Sequence, residues 1–121
     1  MAQILVVDDS GTVRDEVAGF LKSNGLDVVT AVDGNDGLAK LKADPRIRLV
    51  VTDVNMPNMD GLTMAEKVRS ELGNSKVNLV MLTTESSANM RERGKAAGVK
   101  GWIVKPFKGT AVLDTFRKLV S

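Results

Sequence analysis

Two apolar runs of this 121-residue chain end on carboxylates. QILVVDD, residues 3–9, finishes on Asp8 and Asp9; LVVTD, residues 49–53, finishes on Asp53 before turning through MPNMDG. A charge at the edge of a core is costly unless something pairs with it, so acids delivered there by separate segments point to one shared site. Two more runs end on groups that can do chemistry. NLVML, residues 78–82, leads into Thr83, Thr84 and Glu85, and WIV, residues 102–104, into Lys105-Pro106. Three carboxylates brought close together repel, and some protonate unless a cation joins them. A hard divalent ion removes that conflict, and Mg²⁺ characteristically takes one or two carboxylates, waters and a phosphate oxygen. With a lysine as fixed counter-charge and a threonine hydroxyl as donor, the set suits in-line phosphoryl transfer, where positioning and charge neutralisation do most of the catalysis. One carboxylate can itself be the nucleophile and form an acyl phosphate. Asp53, single and central, is the candidate, because adjacent Asp8 and Asp9 cannot both point straight at a metal.

The elements that must position these groups alternate along the chain. Short runs rich in Val, Ile and Leu occur at 4–7, 28–32, 49–52, 78–82 and 102–104. Between them lie amphipathic stretches: Val13, Val17, Phe20 and Leu21 share one helical face, as do Leu38 and Leu41, then Leu62, Ala65, Val68 and Leu72, and finally Val112, Leu113, Phe116, Leu119 and Val120. Nearly continuous apolar strands are those covered on both faces, as in a parallel sheet. Five strand–helix alternations predict an α/β three-layer sandwich with right-handed crossovers. Gly25, Gly73, Gly98 and Asp44-Pro45 stand where helices should stop. In such sheets ligands bind beyond the carboxyl ends of the strands, which is where all the candidate groups fall. Asp33-Gly34, after the second strand, and Asp60-Gly61 read instead as helix starts with the Asp side chain as cap. Met56 and Met59 read as packing or turn residues.

Composition removes other chemistries. Neither cysteine nor histidine is present, so thiolate metal sites, a cysteine nucleophile and the usual imidazole base are excluded. A net charge of +2 does not make the whole molecule a polyanion binder. No apolar stretch approaches the ~20 residues of a membrane span, and the N-terminus lacks a secretory pattern. The expectation is a cytoplasmic protein forming one domain over residues 1–121.

The joint spacing of Asp8-Asp9, Asp53 with MPNMDG after it, Thr83 and Lys105-Pro106 resembles the receiver domain of bacterial two-component response regulators, and the lack of an output domain makes it similar to the single-domain chemotaxis (CheY-type) members. The resemblance implies a flavodoxin-like five-stranded parallel sheet of order 2-1-3-4-5 with five helices. It implies that Asp53 is the phosphoacceptor, that Asp9, Asp53 and the backbone carbonyl of Asn55 bind Mg²⁺, and that Asp8 acts mostly through water. Lys105, joined to Pro106 by a cis bond, would hold a phosphoryl oxygen. Thr83 would hydrogen-bond the phosphoryl group, with Trp102 as the switch aromatic where Tyr or Phe is usual. Asn55 and Glu85 match positions that tune dephosphorylation, and this pair implies a short-lived signal. The implied partners are a histidine kinase, whose docking Arg14 and Glu16 on the first helix would influence, and a downstream target such as the flagellar motor switch. The protein would act as a monomer, away from DNA and membranes.

Three rivals share parts of the pattern. A phosphorelay intermediate would use the same site with a different recipient. A haloacid-dehalogenase-type phosphatase begins with a motif that Asp8-Asp9-Ser10-Gly11-Thr12 nearly matches, but Ser10 replaces its general acid and the chain has no room for a cap. A flavodoxin-like electron carrier needs aromatics to stack a flavin, and this chain has three Phe, one Trp and no Tyr. Separately, residues 86–108 hold Arg91, Arg93, Lys95, Lys100, Lys105 and Lys108 against Glu92 alone, and the helix there has little apolar face. Gly94 in its middle costs about 1 kcal/mol relative to Ala. A weakly held basic helix of this kind would shift when a phosphoryl charge arrives, and an acidic partner would dock on the face made by this helix, the last strand and the last helix.

Overall fold

The computed structural model describes residues 3–120. The elements alternate as β1 (Gln3–Val7), α1 (Gly11–Ser23), β2 (Asp27–Ala31), α2 (Gly34–Ala43), β3 (Ile47–Thr52), α3 (Gly61–Ser70), β4 (Asn78–Thr83), α4 (Ala88–Ala96), β5 (Val99–Val104) and α5 (Gly109–Val120). All five strands pair in parallel, in the order β2-β1-β3-β4-β5. Side chains alternate across a strand, and this alternation divides the core in two. Ile4, Val6, Leu49, Val51, Val80 and Leu82 face Val17 and Leu21 of α1 and Phe116 and Val120 of α5. Leu5, Val7, Val50, Leu79 and Met81 face Leu41 of α2, Leu62, Met64, Ala65 and Val68 of α3, and Ala97 after α4. The predicted three layers and strand order are therefore present.

Helix ends follow local chemistry. Ser10, Asp33, Asp60 and Ser87 each accept a backbone N–H from the third residue on, capping α1, α2, α3 and α4. Asp33 and Asp60 are thus the caps expected from sequence. Gly25 and Gly98, at φ +82° and +84°, turn the chain out of α1 and α4 in a conformation that only glycine adopts easily. Two expectations change. Leu72 lies beyond the end of α3, although it still packs against the core. The last strand starts at Val99 rather than Trp102. It is an edge strand whose residues are mostly half-exposed, so Lys100 and Gly101 fit within it and break the apolar run.

The weakly apolar α4 is held by polar contacts from α3. Arg69 donates to the carbonyls of Asn74 (2.8 Å), Val77 (2.9 Å), Ala97 (3.3 Å) and Gly98 (3.4 Å). Its guanidinium therefore stitches the start of β4 to the end of α4. Replacing it with Met keeps the apolar stem and leaves these part-buried acceptors unpaired. A loss of about 2 kcal/mol is expected, measurable as a lower urea midpoint at unchanged slope; an unchanged midpoint would mean that water replaces the guanidinium at no cost.

Candidate functional site

The carboxyl ends of β1, β3, β4 and β5 bring the predicted residues together. Asp8 and Asp53, one residue past β1 and β3, are both buried, and the backbone N–H of Asp53 donates to the Val7 carbonyl at 3.0 Å, which sets the two strand ends level. Ligand oxygens of Asp8, Asp9 and Asp53 all lie within 4.8 Å of one another. Lys105 reaches across from the end of β5, its Nζ donating to Asp8 Oδ2 at 3.0 Å and Asp53 Oδ2 at 2.9 Å. Its peptide bond to Pro106 is cis, and its backbone N–H donates to the Thr83 carbonyl at 2.9 Å.

The two adjacent acids stand in different surroundings. Both oxygens of Asp8 are engaged, Oδ1 by the Ser10 N–H at 2.9 Å and Oδ2 by Lys105, whereas Asp9 is exposed. Burial pushes the Asp8 carboxyl above the usual carboxylate range, against the opposing pull of the Ser10 amide and Lys105. Burial pulls the Lys105 ammonium down, but its hydrogen bonds to Asp53 and Asp8 outweigh this and leave it raised, so it stays charged. Arg14, read from the sequence as a docking residue, turns its guanidinium onto the Asp8 carbonyl at 2.6 Å. Three carboxylates against the Lys105 ammonium and the neighbouring Arg14 guanidinium still leave an excess of negative charge. The oxygen-only donor set and its spacing fit a small hard divalent ion.

The switch candidates form a second cluster on the same edge. Thr83 is fully buried, and its hydroxyl oxygen accepts the Glu85 N–H at 3.2 Å. The Asn55 side-chain amide donates to Glu85 Oε1 at 2.8 Å, and the Trp102 indole N–H donates to the Glu85 carbonyl at 2.7 Å. Glu85 is thus gripped at its backbone and at its carboxylate. The Trp102 ring is half-buried, packs against the core below and has the Arg91 guanidinium 5.8 Å above its centroid. Gly94 explains how an indole fits: a Cβ there would stand 3.1 Å from Trp102 Cζ3 and 3.5 Å from Leu62 Cδ2. The residue that weakens α4 is the one that makes room for the ring. Met56 and Met59 pack against the same core, as expected.

One basic residue behaves differently from its sequence neighbours. Arg93 forks onto Glu66 of α3 (Nε–Oε2 2.9 Å, Nη2–Oε1 2.8 Å) and donates to Thr63 Oγ1 at 3.0 Å. It ties α4 to α3 instead of standing free for a partner. Arg91, Lys95, Lys100 and Trp102 line a shallow depression of about 200 Å³ between α4 and β5.

Comparison with known proteins agrees with this geometry. The response regulator receiver domain matches residues 4–117. The chemotaxis protein CheY of Treponema pallidum is 40% identical over 114 residues, covering 93% of this chain and 78% of that protein. Among solved structures, Vibrio cholerae chemotaxis protein CheY4 has a TM-score of 0.89 at 39% identity, covering 98% of each chain. The CheX–CheY complex with BeF₃ and Mg²⁺ from Borrelia burgdorferi gives 0.89 at 27% identity, covering 99% of this chain and 90% of that one. With acids on two strand ends, a lysine bridging them from a third and a buried threonine on a fourth, this chain belongs to the response regulator receiver domain family.

Proposed function

We propose that this chain is a cytoplasmic response regulator of the chemotaxis type, in which Asp53 accepts a phosphoryl group from a histidine kinase and so alters a partner-binding face. The observation that carries this reading is the Lys105 ammonium bridging Asp8 and Asp53 beside the third carboxylate, Asp9. Asp9, Asp53 and the backbone carbonyl of Asn55 are the groups that would hold Mg²⁺. Asp8, with both oxygens engaged, would act through water. Bound there, the ion supplies charge neutralisation for the phosphoryl oxygens.

In the transfer, an Asp53 carboxylate oxygen bonds to phosphorus as the phosphorus–nitrogen bond of the donor phosphohistidine breaks, and the imidazole departs with the electron pair. Lys105 then exchanges a carboxylate contact for a phosphoryl oxygen. The Thr83 hydroxyl donates to a second oxygen. Thr83 Oγ1 also holds the Glu85 N–H, and the Glu85 carbonyl holds the Trp102 indole. A pull on Thr83 therefore reaches the outer face in two hydrogen bonds. Asn55 and Glu85, already bonded to each other at the mouth, are positioned to orient the water that removes the phosphate. Trp102 is the only indole. Its fluorescence should change on adding Mg²⁺ and again on adding a small acyl phosphate; silence to both would sink the reading.

The downstream target, of the flagellar motor switch kind, would dock on α4, β5 and α5 through acidic groups facing Arg91, Lys95 and Lys100. Arg91→Glu with Lys95→Glu should weaken that binding at least ten-fold, or about 1.4 kcal/mol, with less dependence on salt than in the wild type. Arg93→Glu should act differently, loosening α4 from Glu66 and speeding amide exchange throughout that helix. Equal effects from the two would mean that Arg93 belongs to the docking surface after all.

A further inference from the structure

The loop between β3 and α3 carries Asn55 and is fastened to a helix that takes no other part in the site. Asn58 lies in the left-handed region at φ +69°, and the Met59 N–H closes back onto the Pro57 carbonyl at 2.7 Å, a tight three-residue turn. Among residues with a side chain, Asn is one of the few that adopt this conformation readily. Its amide Nδ2 reaches across to Asp33 Oδ2 at 2.9 Å. One residue on, the Gly34 N–H donates to the Met59 carbonyl at 3.2 Å, and a Cβ on Gly34 would stand 2.8 Å from Met59 Cγ and from that carbonyl oxygen. The other oxygen of Asp33 caps α2 by accepting the Asp36 N–H at 2.9 Å. The loop's far end is pinned separately, the Gly61 N–H donating to the Val54 carbonyl at 2.8 Å.

We propose that Asn58 and Asp33 are positioning residues for the acceptor loop: their contact, made from a left-handed Asn58, fixes the loop on the start of α2 and so holds Asn55, whose carbonyl is read above as a Mg²⁺ ligand, in one place before a cation arrives. Without the tether an exposed turn in a sparsely populated conformation must be ordered when the ion binds, and affinity falls by that ordering cost. Supporting groups of this sort affect metal affinity without touching the metal. The hydrogen bonds of Asn58 and Asp33 go to each other and to the start of α2, and Asn58→Gly removes the contact with every charge left in place. The inference rests on the reading of the acid cluster as a Mg²⁺ site.

Mg²⁺ titration by calorimetry tests it on the wild type, Asn58→Gly, Asp33→Ser and the double variant. Gly keeps the left-handed backbone and drops the amide. Ser keeps a capping oxygen for α2 but cannot reach Asn58. Each single variant should bind Mg²⁺ about five-fold more weakly, and the double should be no weaker than either, because the two act through one contact. In the metal-free protein, the amides of Asn55, Met56, Met59 and residue 58 should exchange faster in all three variants while those of β1 and β3 do not change. Wild-type affinity in both single variants, or losses that multiply in the double, would overturn the tether while leaving the metal site intact. A wild-type chain that takes up no Mg²⁺ would remove the metal reading, and this inference with it.

Discussion

Asp53→Asn should abolish phosphoryl uptake. Incubated with Mg²⁺ and a small acyl or amido phosphate, the wild type should gain the mass of one phosphoryl group, and the variant none. An amide has no carboxylate oxygen to form the acyl phosphate, so the rate should fall by at least about a thousand-fold, equivalent to roughly 4 kcal/mol of barrier. The fold should survive, because Lys105 keeps its contact with Asp8, and circular dichroism would verify this in the same sample. Asp8→Asn separates the rival reading in which the first strand carries the phosphate. On the geometry described, Asp8 is committed to Ser10 and Lys105, so Asp8→Asn should slow labelling without moving it from Asp53. Label mapped to Asp8, or retained when position 53 is Asn, would refute the assignment. The same time course reads the lifetime. The Asn55–Glu85 pair predicts loss of the label within minutes, and persistence for hours would contradict that role.

Gly61→Ala should be nearly as damaging for a purely steric reason. Gly61 opens α3 directly against the acceptor. A Cβ there would fall well inside contact distance of the Asp53 carbonyl oxygen, 3.0 Å from the carbonyl carbon and 3.1 Å from Thr52 Oγ1. These neighbours are not the loose end of a flexible side chain. The Asp53 carbonyl accepts the Thr52 hydroxyl at 2.9 Å, and Gly61 is itself bonded to the Val54 carbonyl. Relief therefore requires backbone movement at Asp53 or a displaced α3. Overpacking of this kind costs about 3 kcal/mol at its upper end, which for a domain of this size lowers the thermal midpoint by roughly 10 °C. Labelling should fall further than stability alone dictates, by about a hundred-fold, because small misplacements of reacting groups are costly. A variant that melts and labels like the wild type would mean that the loop yields freely, contrary to its two pins.

The positions of Asp8, Asp9, Asp53, Thr83 and Lys105 are legible in the chain because each lies at or just past the end of a strand that finishes in an apolar run, and parallel topology sends every strand end to the same edge. The strand that sits on the rim extends beyond its apolar run, since partial exposure admits Lys100 and Gly101. Charged residues were the least legible. Arg91 and Arg93 look alike in sequence, yet one stands over an indole and the other is forked onto a carboxylate 27 residues away. The same is true of Arg69, which meets carbonyls on two different loops. Asp33 is legible as a helix cap from its neighbours, but its second partner, Asn58, becomes adjacent only when α2 and the acceptor loop are packed side by side. In sequence Gly94 is only a weakness in α4; its reason, the indole beneath it, comes from a different element.

The position of β5 at the margin of the sheet has a mechanical corollary. Asp8 and Asp53 are carried by staves flanked on both sides, while Lys105 and Trp102 ride on the outermost one, which has a neighbour on one side only. A tug at the middle can therefore be taken up by deformation at the border, with the inner staves left in register. On the proposed function, such a division would keep the acid-bearing staves in place while the border responds.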